Sequence, residues 1–362
     1  MRVVILGAGV MGCSIGWRLA QAGCDVTLIE KAVPGAEASS AAAGILGSQS
    51  ECAGPGAFLD LCLASRGLWR EFAAELRDLT DVDVGYRESG LLEIAEHSQD
   101  IEPLLHRETW MLAQNLRAQW LSPQQVHELE PQTANSIAGA LWLADDAQVD
   151  PAQLSRALAA AAARAGARFV SGTTVLGLRS ENGCVAHVRT NAGDFSADVV
   201  VAAAGAWTDL LPDLPPLRTS VRPVHGQLVM LDARPPILTR TLCTRGGYVV
   251  PRADGRVVVG ATTDDFGYNK SVTAEGLHHL LDLAIRLVPA LGAAQVVQHW
   301  SGLRPHGGDN LPLIGEHPQM GGLFVASGHY RNGILLTPIT ALAMTQTILR
   351  RPLVVDLGPF AP

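Results

Sequence analysis

The stretch Arg2-Val3-Val4-Ile5-Leu6-Gly7-Ala8-Gly9-Val10-Met11-Gly12, with Asp25-Val26-Thr27-Leu28-Ile29-Glu30 behind it, decides the fold of this chain. Arg2 to Leu6 reads as a short apolar strand that the glycines break. Met11 to Ala22 has a helical pattern, Gly23 ends it, and Asp25 to Ile29 forms a second strand. Gly7 permits the tight turn, Gly9 lets backbone approach a pyrophosphate, and Gly12 lets the helix sit close on the strand. The helix N-terminus offers unpaired N–H groups and partial positive charge to phosphates. Glu30 is placed to accept hydrogen bonds from ribose hydroxyls, and its charge disfavours a 2′-phosphate. The glycines alone recur by chance, and a turn that only packs is the competing reading. Strand before, helix after and an acid at the end together point to a bound adenine dinucleotide.

The rest of the composition fits a sizeable globular protein. At 362 residues, with 48% hydrophobic and 17% charged side chains, the chain is long enough for two domains or one with a large insertion. A formal charge of −8 argues against nucleic acid as the main partner. The six cysteines, Cys13, Cys24, Cys52, Cys62, Cys184 and Cys243, form no C-x-x-C pair, so reduced thiols are expected. No export signal and no apolar run of about 18 residues is read, which predicts a cytoplasmic protein without a membrane span. His278 and His279 are adjacent, so their rings leave different helix faces, and no metal site is expected.

Further along, the texture alternates. Ala38 to Leu46 is a run of small residues, suited equally to backbone threading beside a flat ligand and to a plain helical turn. Phe58 to Leu79 is helical. From Val84 to Leu143 an insertion is expected, with a strand at Leu91–Ala95, a helix capped at Ser122-Pro123-Gln124-Gln125, and a strand from Ala138. Asp150-Pro151 starts a helix that Gly166 ends. Arg168 to Val170, Thr174 to Arg179, Val185 to Thr190 and Phe195 to Ala203 read as a β-meander turning at Asn182-Gly183 and Asn191-Ala192-Gly193. Arg218 to Leu231 opens a second antiparallel region, joined by Gly247–Pro251 and Arg256–Ala261, with a helix from Thr273 to Leu287. Polar signals gather near the end, and a last helix runs from Pro338 with Thr337 as its cap.

Several of these segments resemble, in order, the D-amino-acid-oxidase-type flavoproteins, and most closely the bacterial glycine oxidases of thiamine biosynthesis. They are the Gly7–Gly12 turn with Glu30, Ser39 to Leu46, Tyr248-Val249-Val250-Pro251-Arg252, Val259-Gly260-Ala261-Thr262, Gly302-Leu303-Arg304-Pro305, and Gly328-His329-Tyr330-Arg331-Asn332-Gly333-Ile334. The last segment and Arg304 are more specific than the N-terminal glycines. The resemblance implies an α/β fold: a Rossmann-like FAD domain with a β-meander, plus an α+β substrate domain with a large antiparallel sheet. The FAD domain is expected over 1–85, 148–219 and 303–362, the substrate domain over 86–147 and 220–302.

It also implies roles. Gly7, Gly9, Val10, Met11, Gly12, Glu30 and Lys31 are expected at the adenosine and pyrophosphate. Ser39 and the Ala43-Gly44-Ile45 backbone are expected along the pyrophosphate and flavin, and Val175 at the adenine. His329, Tyr330, Arg331, Asn332, Gly333, Ile334 and Leu335 are expected at the pyrimidine edge. Arg304 would clamp a substrate carboxylate, Tyr248 would hydrogen-bond it, and Arg331 would lie close to it. The competing readings are a surface ion pair for Arg304, a main-chain or flavin partner for Arg331, and an ordinary strand tyrosine for Tyr248. His225 and Trp300 are read as packing or pocket lining.

Physical chemistry supports these roles independently. A small amino acid must be oriented by few, strong contacts, and a guanidinium gives a bidentate charge-assisted grip. That grip leaves the Cα–H facing the flavin, which accepts the hydride. The expected activity is FAD-dependent oxidation of glycine, sarcosine, D-alanine or D-proline to an imine and 2-oxo acid, with release of ammonia and hydrogen peroxide. No cysteine lies near Arg304 or Arg331 in sequence, so FAD is expected to be non-covalent. O₂ is the expected acceptor, a homo-oligomer up to a tetramer the expected assembly, and thiazole synthase a candidate recipient of the glycine imine. Thr263 and Ile45 stand where glycine oxidases often carry methionine, which leaves the substrate open. Two alternatives are carried: a dehydrogenase of the same family passing electrons to a quinone, and a non-catalytic or nucleic-acid-modifying relative.

Overall fold

The computed structural model describes every residue from Met1 to Pro362. Its first layer is a six-stranded sheet in the order Leu313–Glu316, Leu323–Ser327, Val199–Ala202, Arg2–Leu6, Asp25–Ile29 and Arg168–Val170. All neighbours pair parallel except Leu313–Glu316 with Leu323–Ser327. The central strands are buried almost throughout, as their uninterrupted apolar runs require. Helix Val10–Gln21 packs beside Pro151–Arg164 and Thr337–Ile348, and one cluster of 52 buried residues fills the space among these layers.

The second layer is an eight-stranded sheet in the order Gln295–Gly307, Val221–Asp232, Arg256–Gly260, Gly247–Pro251, Thr241–Thr244, Leu91–Ala95, Gly139–Leu143 and Ala118–Leu121. Strands from the expected insertion and from the later antiparallel region therefore stand in one sheet. They join through a parallel pair, Thr241–Thr244 with Leu91–Ala95. Helix Ala274–Leu287 covers this sheet by burying Leu280, Leu283, Ala284 and Leu287, and its Thr273 cap accepts from the Gly276 amide. No helix of the structure is long and apolar enough to cross a membrane.

Two readings of local structure are corrected. The meander consists only of Val175–Glu181, Cys184–Thr190 and Gly193–Ser196, because Arg168–Val170 and Val199–Ala202 are drawn into the parallel sheet. The run Ala38 to Leu46 is a helical turn only over Ala38–Ala41 and becomes extended chain at Ile45–Leu46. Thr337 is not the cap of the last helix but its first residue, and its hydroxyl donates back to the Gly333 carbonyl.

The helix Pro151–Arg164 starts as the sequence prescribes. Asp150 accepts from the Ala152 and Gln153 amides at 3.0 and 3.1 Å, and Pro151 occupies the first helical position. Asp150→Ala leaves both donors unpaired, and a loss of about 0.5–2 kcal/mol is expected. The measurement is the shift in denaturant midpoint at unchanged slope; an unmoved midpoint would show that water replaces the cap in full.

Candidate functional site

A cavity of about 710 Å³ opens at the carboxyl ends of Arg2–Leu6 and Val199–Ala202 and runs to the second sheet. Parallel sheets place ligands at this edge because strand ends and helix N-termini converge there. One end is the glycine turn. Gly7 has φ +105, and a Cβ on it would lie 2.5 Å from the Ala203 carbonyl oxygen, so no other residue fits without backbone movement. A Cβ on Gly9 would lie 2.9 Å from the Ser39 hydroxyl. Ser39 accepts from the Val10 amide at 3.0 Å, which locks the small-residue run against the start of the helix. Glu30 accepts from the Ala8 and Ala32 amides at 2.9 Å each and still faces the cavity. A narrow trough with bare backbone, helix-end amides and an acid at its far corner fits an adenine dinucleotide.

Of the residues expected along the cofactor, Gly7, Gly9, Val10, Met11, Glu30, Lys31, Ser39, Ala43, Gly44, Ile45, Val175, His329, Tyr330, Arg331, Gly333 and Ile334 line this cavity. Three do not. Gly12 lies behind the turn, where a Cβ would meet the Gly7 carbonyl oxygen at 1.9 Å; its role is the close helix–strand packing. Leu335 belongs to the core, and its carbonyl accepts from Ser65 Oγ and Trp69 Nε1 at 2.6 and 2.8 Å. Asn332 is buried behind the wall, with its side-chain oxygen unpartnered. His329 is buried, its Nε2 sits 3.2 Å from Thr340 Oγ1, and burial pushes its pKa down to about 3. The ring is therefore neutral, a filler of the wall rather than a charge.

At the other end the structure brings Tyr248, Arg304 and Arg331 to one cavity. The Arg304–Pro305 segment is part of the 13-residue edge strand Gln295–Gly307. An edge tolerates Pro305 because that flank needs no donor. Arg304 Nη1 donates to the His225 and Thr262 carbonyls at 3.3 and 3.2 Å. Those two bonds use one nitrogen and leave the other edge of the guanidinium free for a carboxylate. Gly226 makes room for it: a Cβ there would fall 2.4 Å from both Nη1 and Nη2. Burial pushes the Tyr248 phenol above its usual range, against the opposing pull of Arg304 and Arg331, so both guanidinium groups face the same ring. The phenol stays protonated and can donate.

Arg331 reaches the same cavity but has an acidic partner. It stands at the cavity mouth with its side chain 46% exposed, and Nε pairs with Glu51 at 3.6 Å. Glu51 carried no sequence signal, since nothing marks an acid in a glycine-rich stretch as the partner of an arginine far away in the chain. Lys270, which also lines the cavity, pairs with Glu37. Cys243 was read as remote, but in the sheet it stands opposite Tyr248 and within reach of the Arg331 charge. Burial pushes that thiol well up, so it is a neutral side chain and not a nucleophile. His225 and Trp300 are packing residues: His225 is fully buried, and Trp300 Nε1 donates to the Ala41 carbonyl.

Known proteins resemble this chain over nearly its whole length. The profile of the DAO family, described as FAD dependent oxidoreductase, matches residues 2–347. The glycine oxidase of Geobacillus kaustophilus is 41% identical over 99% of this chain and 96% of its own length. The bifunctional protein ThiO/ThiG of Nostoc is 36% identical over 96% of this chain and 53% of its own length. The crystal structure of glycine oxidase from Geobacillus kaustophilus superposes with a TM-score of 0.96 over 99% of this chain and 98% of that one. Iminodiacetate oxidase from Chelativorans, 27% identical, superposes at 0.90 over 100% and 99%.

Two substitutions test the two ends separately. Glu30→Ala is expected to weaken FAD retention, read as flavin lost on gel filtration, with the substrate KM of reconstituted protein unchanged. Gly226→Ala is expected to keep the flavin but raise KM tenfold or more, because the new methyl displaces the Arg304 guanidinium. The opposite pattern would mean that the two ends are assigned the wrong way round.

Proposed function

The chain belongs to the DAO family of FAD-dependent oxidoreductases, and from that premise we propose that it oxidises glycine and similarly small amino acids. The observation that carries this reading is Arg304: a guanidinium inside the cavity, braced through Nη1 alone and otherwise open, at the end away from the dinucleotide turn. FAD, when bound, supplies the two-electron acceptor. The residues of this chain do the rest. Arg304 binds the carboxylate side-on, Tyr248 donates to it, and the two contacts fix the orientation of a molecule too small to be held by burial. Arg331, neutralised by Glu51, closes the mouth instead of competing for the same carboxylate.

The net reaction is amino acid plus O₂ and water to 2-oxo acid, ammonia and hydrogen peroxide, and it balances for glycine with glyoxylate as the product. Several finer points belong to the same proposal. FAD is held without a covalent bond. The protein works as a homo-oligomer in the cytoplasm, where its six free cysteines remain reduced. The imine passes to a thiazole synthase, a link supported by the fused ThiO/ThiG relative.

A charge-assisted hydrogen-bonded clamp is worth roughly 1.5–3 kcal/mol, or about tenfold to a hundredfold. Arg304→Ala is therefore expected to raise the glycine KM by that factor with flavin retained; an unchanged KM would take Arg304 out of the site. Peroxide formed one-for-one with glyoxylate is the outcome expected of an oxidase. Turnover with a quinone or dye but without peroxide would establish the dehydrogenase alternative.

A further inference from the structure

Arg304 is braced by two carbonyls, and both belong to residues gathered around one carboxylate. Asp264 Oδ2 accepts from the Thr262 hydroxyl at 2.5 Å, from His225 Nδ1 at 3.1 Å and from Gln227 Nε2 at 3.2 Å. The carbonyls that hold Arg304 are those of Thr262 and His225. The main chain repeats the link. His225 and Asp264 form an isolated bridge, amide to carbonyl in both directions at 3.1 and 3.0 Å, so the His225 carbonyl serves Asp264 and Arg304 together. The Thr262 hydroxyl also accepts from the Gln227 amide at 3.0 Å, which leaves its proton only Asp264 to point at. Burial works to raise the Asp264 pKa, but the three donors hold it below the usual carboxylate range, so it remains an acceptor.

We infer that Asp264 is a positioning residue for substrate binding: it touches neither substrate nor cofactor, and it fixes the two carbonyls that aim the Arg304 guanidinium. Without it, Thr262 and His225 are tied only by main chain, and an arginine braced through one nitrogen loses its fixed plane. A bidentate grip is sensitive to such a change, since a displacement of about 1 Å costs of the order of a hundredfold. Thr262 and Asp264 lie outside the cavity lining, and Asp264 belongs to none of the segments that carry the resemblance, so only the hydrogen-bond pattern reveals it.

The inference rests on the reading that Arg304 binds the substrate carboxylate, and a double-mutant cycle separates the two. Four holoenzymes are compared: the parent, Asp264→Ala, Arg304→Ala and the double variant. KM and kcat for glycine are measured, with the Kd of acetate, an unreactive carboxylate, read from the flavin absorption spectrum. Asp264→Ala is expected to raise KM and the acetate Kd about tenfold in the parent and less than threefold once Arg304 is gone, with kcat changed less than KM. Asp264→Asn, which keeps the side-chain volume, runs beside it and replaces it if the alanine variant loses flavin. An equal loss in both backgrounds, or none in the parent, overturns the inference while leaving Arg304 in place. No effect of Arg304→Ala removes the clamp itself and the inference with it.

Discussion

Everything at the substrate end depends on the register between Val221–Asp232 and Gln295–Gly307, the longest strand pairing in the molecule. Arg304 stands opposite Val224, and Gly226 opposite Gly302. Gly226 is thus the diagonal same-face neighbour of Arg304, and diagonal neighbours lie within reach of long side chains. A guanidinium laid over a glycine gains the depth of the missing side chain. A slip of one residue would turn Arg304 to the other face and take its guanidinium out of the cavity. Twelve partnered positions oppose that slip, with the only irregularity at Met230/Leu231, remote from Arg304.

The second requirement is that the two sheets hold a fixed distance across the cavity. Arg252 supplies a direct tie. It is 9% exposed, and it donates to the Ala43 carbonyl at 2.7 Å and the Val149 carbonyl at 3.0 Å. Burial lowers its pKa to about 10, which still leaves it charged at neutral pH. The strand carrying Tyr248 ends immediately before it, at Pro251. One side chain therefore couples the tyrosine strand to the small-residue run beside the dinucleotide turn. Such a tie contributes less to net stability than to geometry, because desolvating a guanidinium offsets most of what its hydrogen bonds return.

The opening turn was legible because steric demands there leave one solution: glycine at φ +105 against a carbonyl, glycine under a hydroxyl, and an acid at the end of the next strand. The helix caps at Ser122 and Asp150 were legible for the same reason, since each is a local arrangement. What escaped the sequence is non-local. Arg168–Val170 has three residues and no pattern that separates a meander strand from a parallel-sheet edge; the partner at Asp25–Ile29 decides. The strand Gln295–Gly307 was not read at all, and its long pairing with Val221–Asp232 is what forms it. Glu51, Thr262 and Asp264 matter through partners distant in the chain or through an arrangement of side chains that periodicity does not encode.

The contrast between the two arginines follows from where their charges are answered. Arg304 meets the His225 and Thr262 carbonyls and the Tyr248 phenol but no carboxylate, so its charge is left for a ligand. Arg331 meets Glu51, and the segment carrying Glu51 is held with unusual expense. Asp146, fully buried, accepts from the Gln49 and Ser50 amides and the Ser48 hydroxyl. Arg107 donates to the Gln49, Ser50 and Cys52 carbonyls and to Glu93, whose pKa burial raises to about 7 despite that arginine. The network grips Ser48 to Cys52 by amides and carbonyls alike, so the backbone that carries Glu51 cannot move away from the mouth without breaking several buried bonds. A second guanidinium can then stand close to the substrate site without competing with the first for its anion.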